Sequence, residues 1–535
     1  MADIKTEKKA KLHQSNGVDL KVSLWATLPV LLIGGFMAML DSSIVNVAIP
    51  SMMNAFGVTS DSIEWVLTIY MLVLGVVVPM SGWLGDYMGY KKFYLISLVV
   101  FTLGSAFCAF AWNVPSLTVA RGIQAVGGGM IMPTTMAMVY RITPRGKIGQ
   151  AMGLFGMIFV VAPAIGPSIG GYLVEYISWR WIFTINIPIG ILGLALGLLL
   201  IPEIKGAHPG KFDWWGAVTS ATALFCILFA LSEGTNWGWT SMGIILLFYT
   251  SIAFFGIFIY HQLTTEEPLL DLRVFKNLNF TMGNLLLIII TVGMYGALFY
   301  IPIYLQAIRG IGALQAGLLM LPPALASAVM MPISGTLYDR IGPKIPIAIG
   351  IIVLAVSTFA LSFIDLGTAL STIVWINIIR SMGMGLVMMP AQSALMSEID
   401  SEKVGRASSI NNILTRVAAS LGIAALTIIM GARNALHAAN LSWSVSSANP
   451  AVMNQVSELS GKLPSGGGEQ LINPAVYSIL GQKIFQISFI QSMNDVFIMT
   501  AAVTALAILP GILLKKKLWG DKTEKPVMIE EKGGN

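Results

Sequence analysis

The sequence predicts an all-α integral membrane protein of fourteen transmembrane helices, arranged as two six-helix bundles with two further spans inserted between them. Three observations predict it: a composition that only lipid can solvate, a series of long apolar runs, and a polar turn that occurs twice. The chain is 56% hydrophobic and 11% charged, whereas a soluble domain carries about 25% charged residues. So few charges cannot cover the surface of a water-soluble protein of this length.

The formal net charge of +6 and the pI near 9.1 would suit nucleic acid in a soluble protein. Here the basic residues lie in short loops and tails beside apolar spans, which points to membrane topology and excludes a nucleic-acid partner. Both cysteines, Cys108 and Cys226, fall inside apolar runs and read as small hydrophobes, with neither a disulfide nor a metal role. Four scattered histidines offer no metal cluster. The first residues are polar and Lys-rich through Lys21 with no small-residue cleavage site, so no removable signal peptide is expected.

A bilayer-spanning helix needs roughly 20 mostly apolar residues. Runs that satisfy this lie at 24–50, 62–84, 92–112, 114–139, 148–174, 179–202, 213–233, 241–262, 278–306, 314–338, 344–364, 368–396, 404–432 and 488–514. Glycine and proline inside several of them are tolerated in membrane helices, where neighbouring groups re-satisfy the backbone. Lysines and arginines collect on one face, among them Lys91, Lys92, Arg141, Arg145, Lys147, Lys211, Arg273, Lys344, Lys403, Arg406 and Lys515. The opposite face holds only Arg180, Arg309, Arg433, Lys462 and Lys483. Both termini are therefore expected in the cytoplasm, which requires an even number of spans. The division that follows is a cytoplasmic tail over 1–23, a six-helix bundle over 24–202, a linker with two extra spans over 203–277, a second bundle over 278–514 with a long outer loop at 433–487, and a cytoplasmic tail over 515–535.

The repeated turn is Gly82-Trp-Leu84-Gly-Asp86-Tyr-Met-Gly89-Tyr-Lys91, matched by Gly335-Thr-Leu337-Tyr-Asp339-Arg-Ile-Gly342-Pro-Lys344. Five identical residues recur at one offset of 253 positions, which implies a duplicated unit. Glycines let helix ends approach, the aspartate can cap or pair, and the lysines hold one aqueous face. The offset exceeds six spans, so the runs at 213–233 and 241–262 are read as an insertion between two six-helix units.

These residues resemble the major facilitator superfamily, and within it the 14-span drug:proton antiporter branch of the EmrB/QacA type. The 82–92 turn is similar to that family's cytoplasmic loop motif, with Tyr87 and Tyr90 where arginines are usual. Arg121-Gly-Ile-Gln124-Ala-Val-Gly127-Gly128-Gly129 resembles the fourth-span motif, with Ala125 in place of a glycine. Ala162-Pro163-Ala-Ile-Gly166-Pro167-Ser-Ile-Gly170-Gly171 resembles the fifth-span motif of antiporters. Leu40-Asp41-Ser-Ser-Ile-Val-Asn46 and Trp179-Arg180-Trp181 through Asn186 and Pro188 resemble first-span and sixth-span signatures of the branch. The resemblance covers about 24–514. It implies export, and it says little about the cargo.

Asp41 lies late in the first span, where a carboxylate costs about 3 kcal/mol on insertion scales and so defaults to a functional reading. Desolvation favours its protonated form and a nearby cation its charged form, so one site would exchange a proton for a cationic substrate. The alternative is an aqueous-mouth residue capping the next helix. Arg121 cannot usefully deprotonate; it would perturb or neutralise a nearby acid, and by resemblance it belongs to a proton relay. Gln124 shares its helical face and extends the polar network. A purely structural polar cluster is the competing reading.

Gly166, Pro167, Gly170 and Gly171 give the fifth span a kink and a flat face, expected to seal the pathway between the halves. Asp86 and Asp339, with Gly89, Lys91 and Gly342, are expected to act as conformational latches at the cytoplasmic gate, each aspartate capping or pairing with a facing helix end. Arg380 and Arg416 are intramembrane too, and Arg380 precedes glycines as Arg121 does. No carboxylate stands inside 278–306 or 314–338, which favours monovalent or neutral lipophiles as cargo. Glu64, Glu175, Glu233 and Asp495 read as solvated groups at outer span ends. Tyr295, Phe299 and Gln306 follow helical spacing and are the candidate cavity lining, with lipid-facing packing as the alternative.

The function expected is proton-coupled multidrug efflux of lipophilic, cationic small molecules by alternating access, with export of a lipid, an envelope precursor or a single metabolite as the rival. Substrates, protons and membrane lipid are the expected partners of a monomer in the cell membrane. A periplasmic adaptor is left open. No cofactor is expected, since no nucleotide-binding loop appears and the proton gradient supplies the energy. No nucleophile–base set or metal cluster suggests an enzyme. A membrane sensor would need a soluble output domain, for which the tails are too short.

Overall fold

The computed structural model describes residues 24–204, 206, 210–400, 403–444 and 474–515. The tails at 1–23 and beyond Lys515 and the middle of the 433–487 segment, with its Pro464-Ser-Gly-Gly-Gly run, lie outside the described residues. Fourteen long helices cover the rest. The first bundle comprises α1 (Leu24–Phe56), α2 (Ser60–Met88), α3 (Tyr90–Ala109), α4 (Val114–Ile142), α5 (Ile148–Tyr176) and α6 (Trp181–Thr184 continued by Asn186–Leu200). The inserted pair is α7 (Trp214–Trp237) and α8 (Met242–Thr264). The second bundle comprises α9 (Leu278–Ile303, ending in a π turn over Tyr304–Ile308), α10 (Ala313–Ile341), α11 (Lys344–Ala360), α12 (Leu370–Met396), α13 (Val404–Ser444) and α14 (Pro474–Leu506 with Ile508–Leu513).

Thirteen of these are apolar and long enough to cross a membrane. The fourteenth, α4, falls short because Arg121, Gln124, three consecutive glycines and two threonines dilute it. Its start is nevertheless well specified. The Asn113 side chain accepts from the Ser116 N–H (2.8 Å), the Ser116 hydroxyl accepts from the Asn113 N–H (3.2 Å), and proline occupies the first turn. Its polar face is buried against α1, α2 and α3, so protein rather than lipid solvates it.

Two expectations are corrected here. The segment expected as an outer loop is helical at both ends, because α13 runs on to Ser444 and α14 begins at Pro474. Apolar run length stops at the bilayer edge, whereas the alanine-rich stretch after Arg433 is a good helix former in water, and proline suits a helix start. Two of the outer acids are not simply solvated. Asp495 on α14 pairs with His437 (2.7 Å) and Arg433 (3.4 Å) on the α13 extension, and Glu233 is buried and receives a hydrogen bond from Asn236 (3.4 Å). Glu175 is exposed and Glu64 half-buried.

Across the two bundles, α5 packs on α10 and α12, and α13 packs on α2 and α4. The inserted α7 also lies against both α2 and α13, so it contacts one helix from each half. Its approach to α2 is marked by Trp65–Phe229 ring contact (5.8 Å) and by Gly75, where a side chain would collide with Leu228.

Candidate functional site

Four helices of the first bundle deliver polar side chains to one sealed point. Asp41 comes from α1, Arg121 and Gln124 from α4, Ser105 from α3 and Asn186 from α6, and all are buried. Arg121 Nη1 donates to Asp41 Oδ2 at 2.6 Å and to Gln124 Oε1 at 2.6 Å. Gln124 Nε2 donates to Asp41 Oδ1 (2.8 Å) and to Ser105 Oγ (2.6 Å), and Asn186 Nδ2 donates to Asp41 Oδ1 (3.0 Å). The guanidinium also stacks on the Tyr70 ring of α2, 4.0 Å from its centroid. Gly104 makes the convergence possible: a Cβ there would lie 2.5 Å from the Gln124 Cα, so only glycine lets α3 and α4 meet at this level.

Asp41 is thus not at an aqueous mouth. Its carboxylate takes three donors and is 0% exposed, the condition under which a buried ion pair survives desolvation. In this conformation protein groups surround it on all sides. Sequence reading brought together Asp41, Arg121 and Gln124 but passed over Tyr70, Ser105 and Asn186. The last stood in the sixth-span stretch from Trp179 to Pro188 that carried the resemblance; a serine and a tyrosine in apolar runs carried no signal.

The Lys/Arg-rich ends of the two bundles are shut against each other. Asp339, at the end of α10, accepts from the backbone N–H groups of Gly149 (2.9 Å) and Gln150 (3.0 Å) in the first turn of α5. Gly149 and Gly335 lie back to back, and a Cβ on either would strike the other's carbonyl. Asp86 accepts from Tyr90 (2.9 Å) and Arg141 (3.3 Å), with Arg406 of α13 at 3.7 Å. Tyr90, standing where an arginine is usual in the resembled motif, therefore supplies a hydrogen bond to Asp86 within its own loop. Ser81 meets Ser409 at 3.0 Å, and Tyr140 donates to the Met396 carbonyl at 2.7 Å. Gly89 and Gly342 hold matching turns at φ +81 and +85, where other residues are strained. Lys91 donates to the Leu198 carbonyl (3.1 Å) and lies 3.5 Å from Glu203.

The fifth-span glycines are placed differently from expectation. Gly166 and Gly170 pack on Ser43 and Ile44 of α1, inside their own bundle, while Gly171 faces open space and Pro167 is exposed on a helix that continues through it. The seal between halves is made about three to five turns before Gly166 on α5, by Gly149, Gly153 and Gly156 against Gly335, Met331 and Met389. Those three glycines carry the spacing of a flat face but lie outside the motif that drew attention.

Of the candidate lining residues, Tyr295 is half-buried. Phe299 is exposed and meets Tyr300 edge-on at 5.5 Å, and Gln306 is exposed in the π turn. Neither is drawn to the buried network. Among the described residues no group of His, Cys, Asp and Glu is arranged to hold a metal ion.

Two helical bundles closing on each other around buried charge define a membrane transporter rather than an enzyme. The chain belongs to the major facilitator superfamily, whose family model matches residues 31–423. It is 33% identical to the uncharacterized MFS-type transporter YhcA of Bacillus subtilis, over 91% of this chain and 92% of that one. It is 31% identical to the multidrug resistance protein B homolog of Mycobacterium tuberculosis (77% of each chain) and 31% identical to the lincomycin resistance protein LmrB of Listeria monocytogenes (75% and 85%). The fold is shared with the solved structure of the proton:xylose symporter XylE at a TM-score of 0.55 and 13% identity, over 91% of this chain and 94% of that one.

Proposed function

We propose that this transporter is a proton-coupled efflux antiporter that exports lipophilic small molecules across the cell membrane by alternating access. The observation that carries the reading is the Asp41–Arg121 pair, an ionisable contact sealed among α1, α3, α4 and α6. Protonating Asp41 removes the charge that holds Arg121 and frees four helices to shift, which links a proton to a conformational change. The names of the relatives support export of drugs. The latches at Asp86 and Asp339 join the halves at one end, so their release and re-formation would rock the bundles about the space between them. In this reading the closed, Lys/Arg-rich end is cytoplasmic, both termini lie there, the unit is a monomer, and no cofactor takes part.

The test is dye transport in proteoliposomes under an imposed pH gradient, comparing the unaltered chain with Asp41→Asn. Gradient-dependent movement that the substitution abolishes is the expected result. Gradient-driven movement of equal rate in both proteins would remove Asp41 as the coupling group, and no gradient-driven movement of any lipophile would overturn antiport.

A further inference from the structure

The two halves are unequal in how they treat buried arginine. Arg121 in the first half has its carboxylate at 2.6 Å. In the second half Arg380 on α12 and Arg416 on α13 form no ion pair among the described residues, and Nε and Nη1 of Arg380 and Nε of Arg416 are buried without a hydrogen-bond partner. A guanidinium does not escape by deprotonating, and an unpaired buried charge is strongly destabilising. Such groups call for an anion from elsewhere.

Of the two, Arg416 is placed to receive one. It lies about two turns along α13 from Ser409, whose hydroxyl meets Ser81 of α2 in the closed end. Seven residues on, it returns to the same face of α13, a helix that packs on α2, which carries Tyr70, and on α9, which carries Tyr295. Its side chain is only partly covered, unlike that of Arg380. Asp41, by contrast, is fully buried in this arrangement, with Arg121, Gln124 and Asn186 already on its carboxylate.

We propose that Arg416 is a substrate subsite for an anionic head, a carboxylate or phosphate on a lipophilic body, with Tyr70 and Tyr295 flanking it. The guanidinium fork matches planar oxyanions, and aromatic rings accept an apolar tail. This rests on the transport reading above and narrows its cargo from lipophilic small molecules to amphipathic anions or zwitterions. A soluble carboxylate and a lipid phosphate present the same chemistry to Arg416, and the experiment separates them.

The full chain in an uncharged detergent is titrated with dodecanoate and with dodecyltrimethylammonium, which share a tail and differ in head charge. The expected result is that Arg416→Gln weakens dodecanoate binding about tenfold or more while leaving the ammonium unchanged or tighter, with Arg416→Lys between. Competition by phosphatidylglycerol but not phosphatidylethanolamine assigns the site to a lipid headgroup; competition by neither assigns it to a soluble carboxylate. In the unaltered protein, dodecanoate must also slow phenylglyoxal labelling of Arg416, which keeps the test decisive if the glutamine variant fails to fold. Dodecanoate affinity independent of residue 416, or labelling that dodecanoate does not slow, overturns the subsite. Gradient-driven flux of the ammonium alongside unprotected Arg416 removes the subsite and leaves antiport standing. Arg416-dependent binding without gradient-driven flux of either probe does the reverse.

Discussion

Arg121 Nη1 lies 2.6 Å from Asp41 Oδ2, and neither side chain is more than 1% exposed. The pair spans 80 residues of sequence, so a single buried contact ties α1 to α4. Removing one partner of a buried ion pair typically costs about 3–5 kcal/mol, because the other charge is left uncompensated.

Asp41→Asn is therefore expected to lower thermal stability as well as to abolish proton-driven transport. Asparagine keeps the shape and one acceptor but not the charge. Melting of the purified variant, followed beside its transport, checks both; full stability would show that Arg121 finds another partner.

Arg121→Ala is expected to change the pH dependence of transport, since the acid it holds would titrate in a different field. Flux measured across a pH series in proteoliposomes tests this. A profile that matches the unaltered protein in shape and midpoint would reduce Arg121 to a packing residue.

Gly149→Val and Gly335→Val each place a branched side chain against a backbone carbonyl of the opposite half. Overpacking of this kind costs about 1–3 kcal/mol, and here the cost falls only on the closed arrangement of this end. Spin labels on α5 and α10 should report a longer mean distance in either variant, with transport reduced. Gly171→Val, which meets nothing, is the matched control.

Asp339→Ala removes two hydrogen bonds to the first turn of α5 and the charge that favours a helix N-terminus, about 1 kcal/mol or more in all. The same spin-label pair should shift toward separation. Asp339→Asn, which keeps an acceptor, is expected to lie between.

Asp213, just before α7, clips the inserted hairpin together. Burial alone would raise its pKa, but the Gly216 N–H, Gln262, His261 and the Leu269 N–H together hold it below the usual carboxylate range. A folded-state value below the unfolded one means the contribution to stability is present above about pH 4 and is lost as pH falls further. Asp213→Ala should cost about 1 kcal/mol, typical of a lost helix cap, and should flatten the acid limb of a melting-temperature profile; an unchanged acid limb would sink the assignment.

The helices and their order were legible because lipid imposes a simple rule: every span must be long, apolar and internally hydrogen-bonded. That rule located even α4, where polar residues dilute the signal. It failed at residues 433–444 and 474–487, where helix continues into water and apolar length no longer reports it. The repeat at offset 253 likewise exposed the duplication, because turns that need glycine at positive φ tolerate few substitutes.

What the amino-acid sequence determined by itself was the membrane setting, the fourteen helices, the two-bundle repeat and the presence of a charged pair in the first half. Only the tertiary structure decided which groups meet. It sealed Asp41 with Arg121, Gln124 and Asn186, moved the inter-bundle glycine contact from Gly166 and Gly170 to Gly149 and Gly335, and left the buried Nε of Arg416 without a hydrogen-bond partner among the described residues. The reason is physical. Helix formation depends on local hydrogen bonding and on the solvent around each span, which sequence reports directly, whereas pairing across bundles depends on the rotation and depth of helices that lie far apart along the chain.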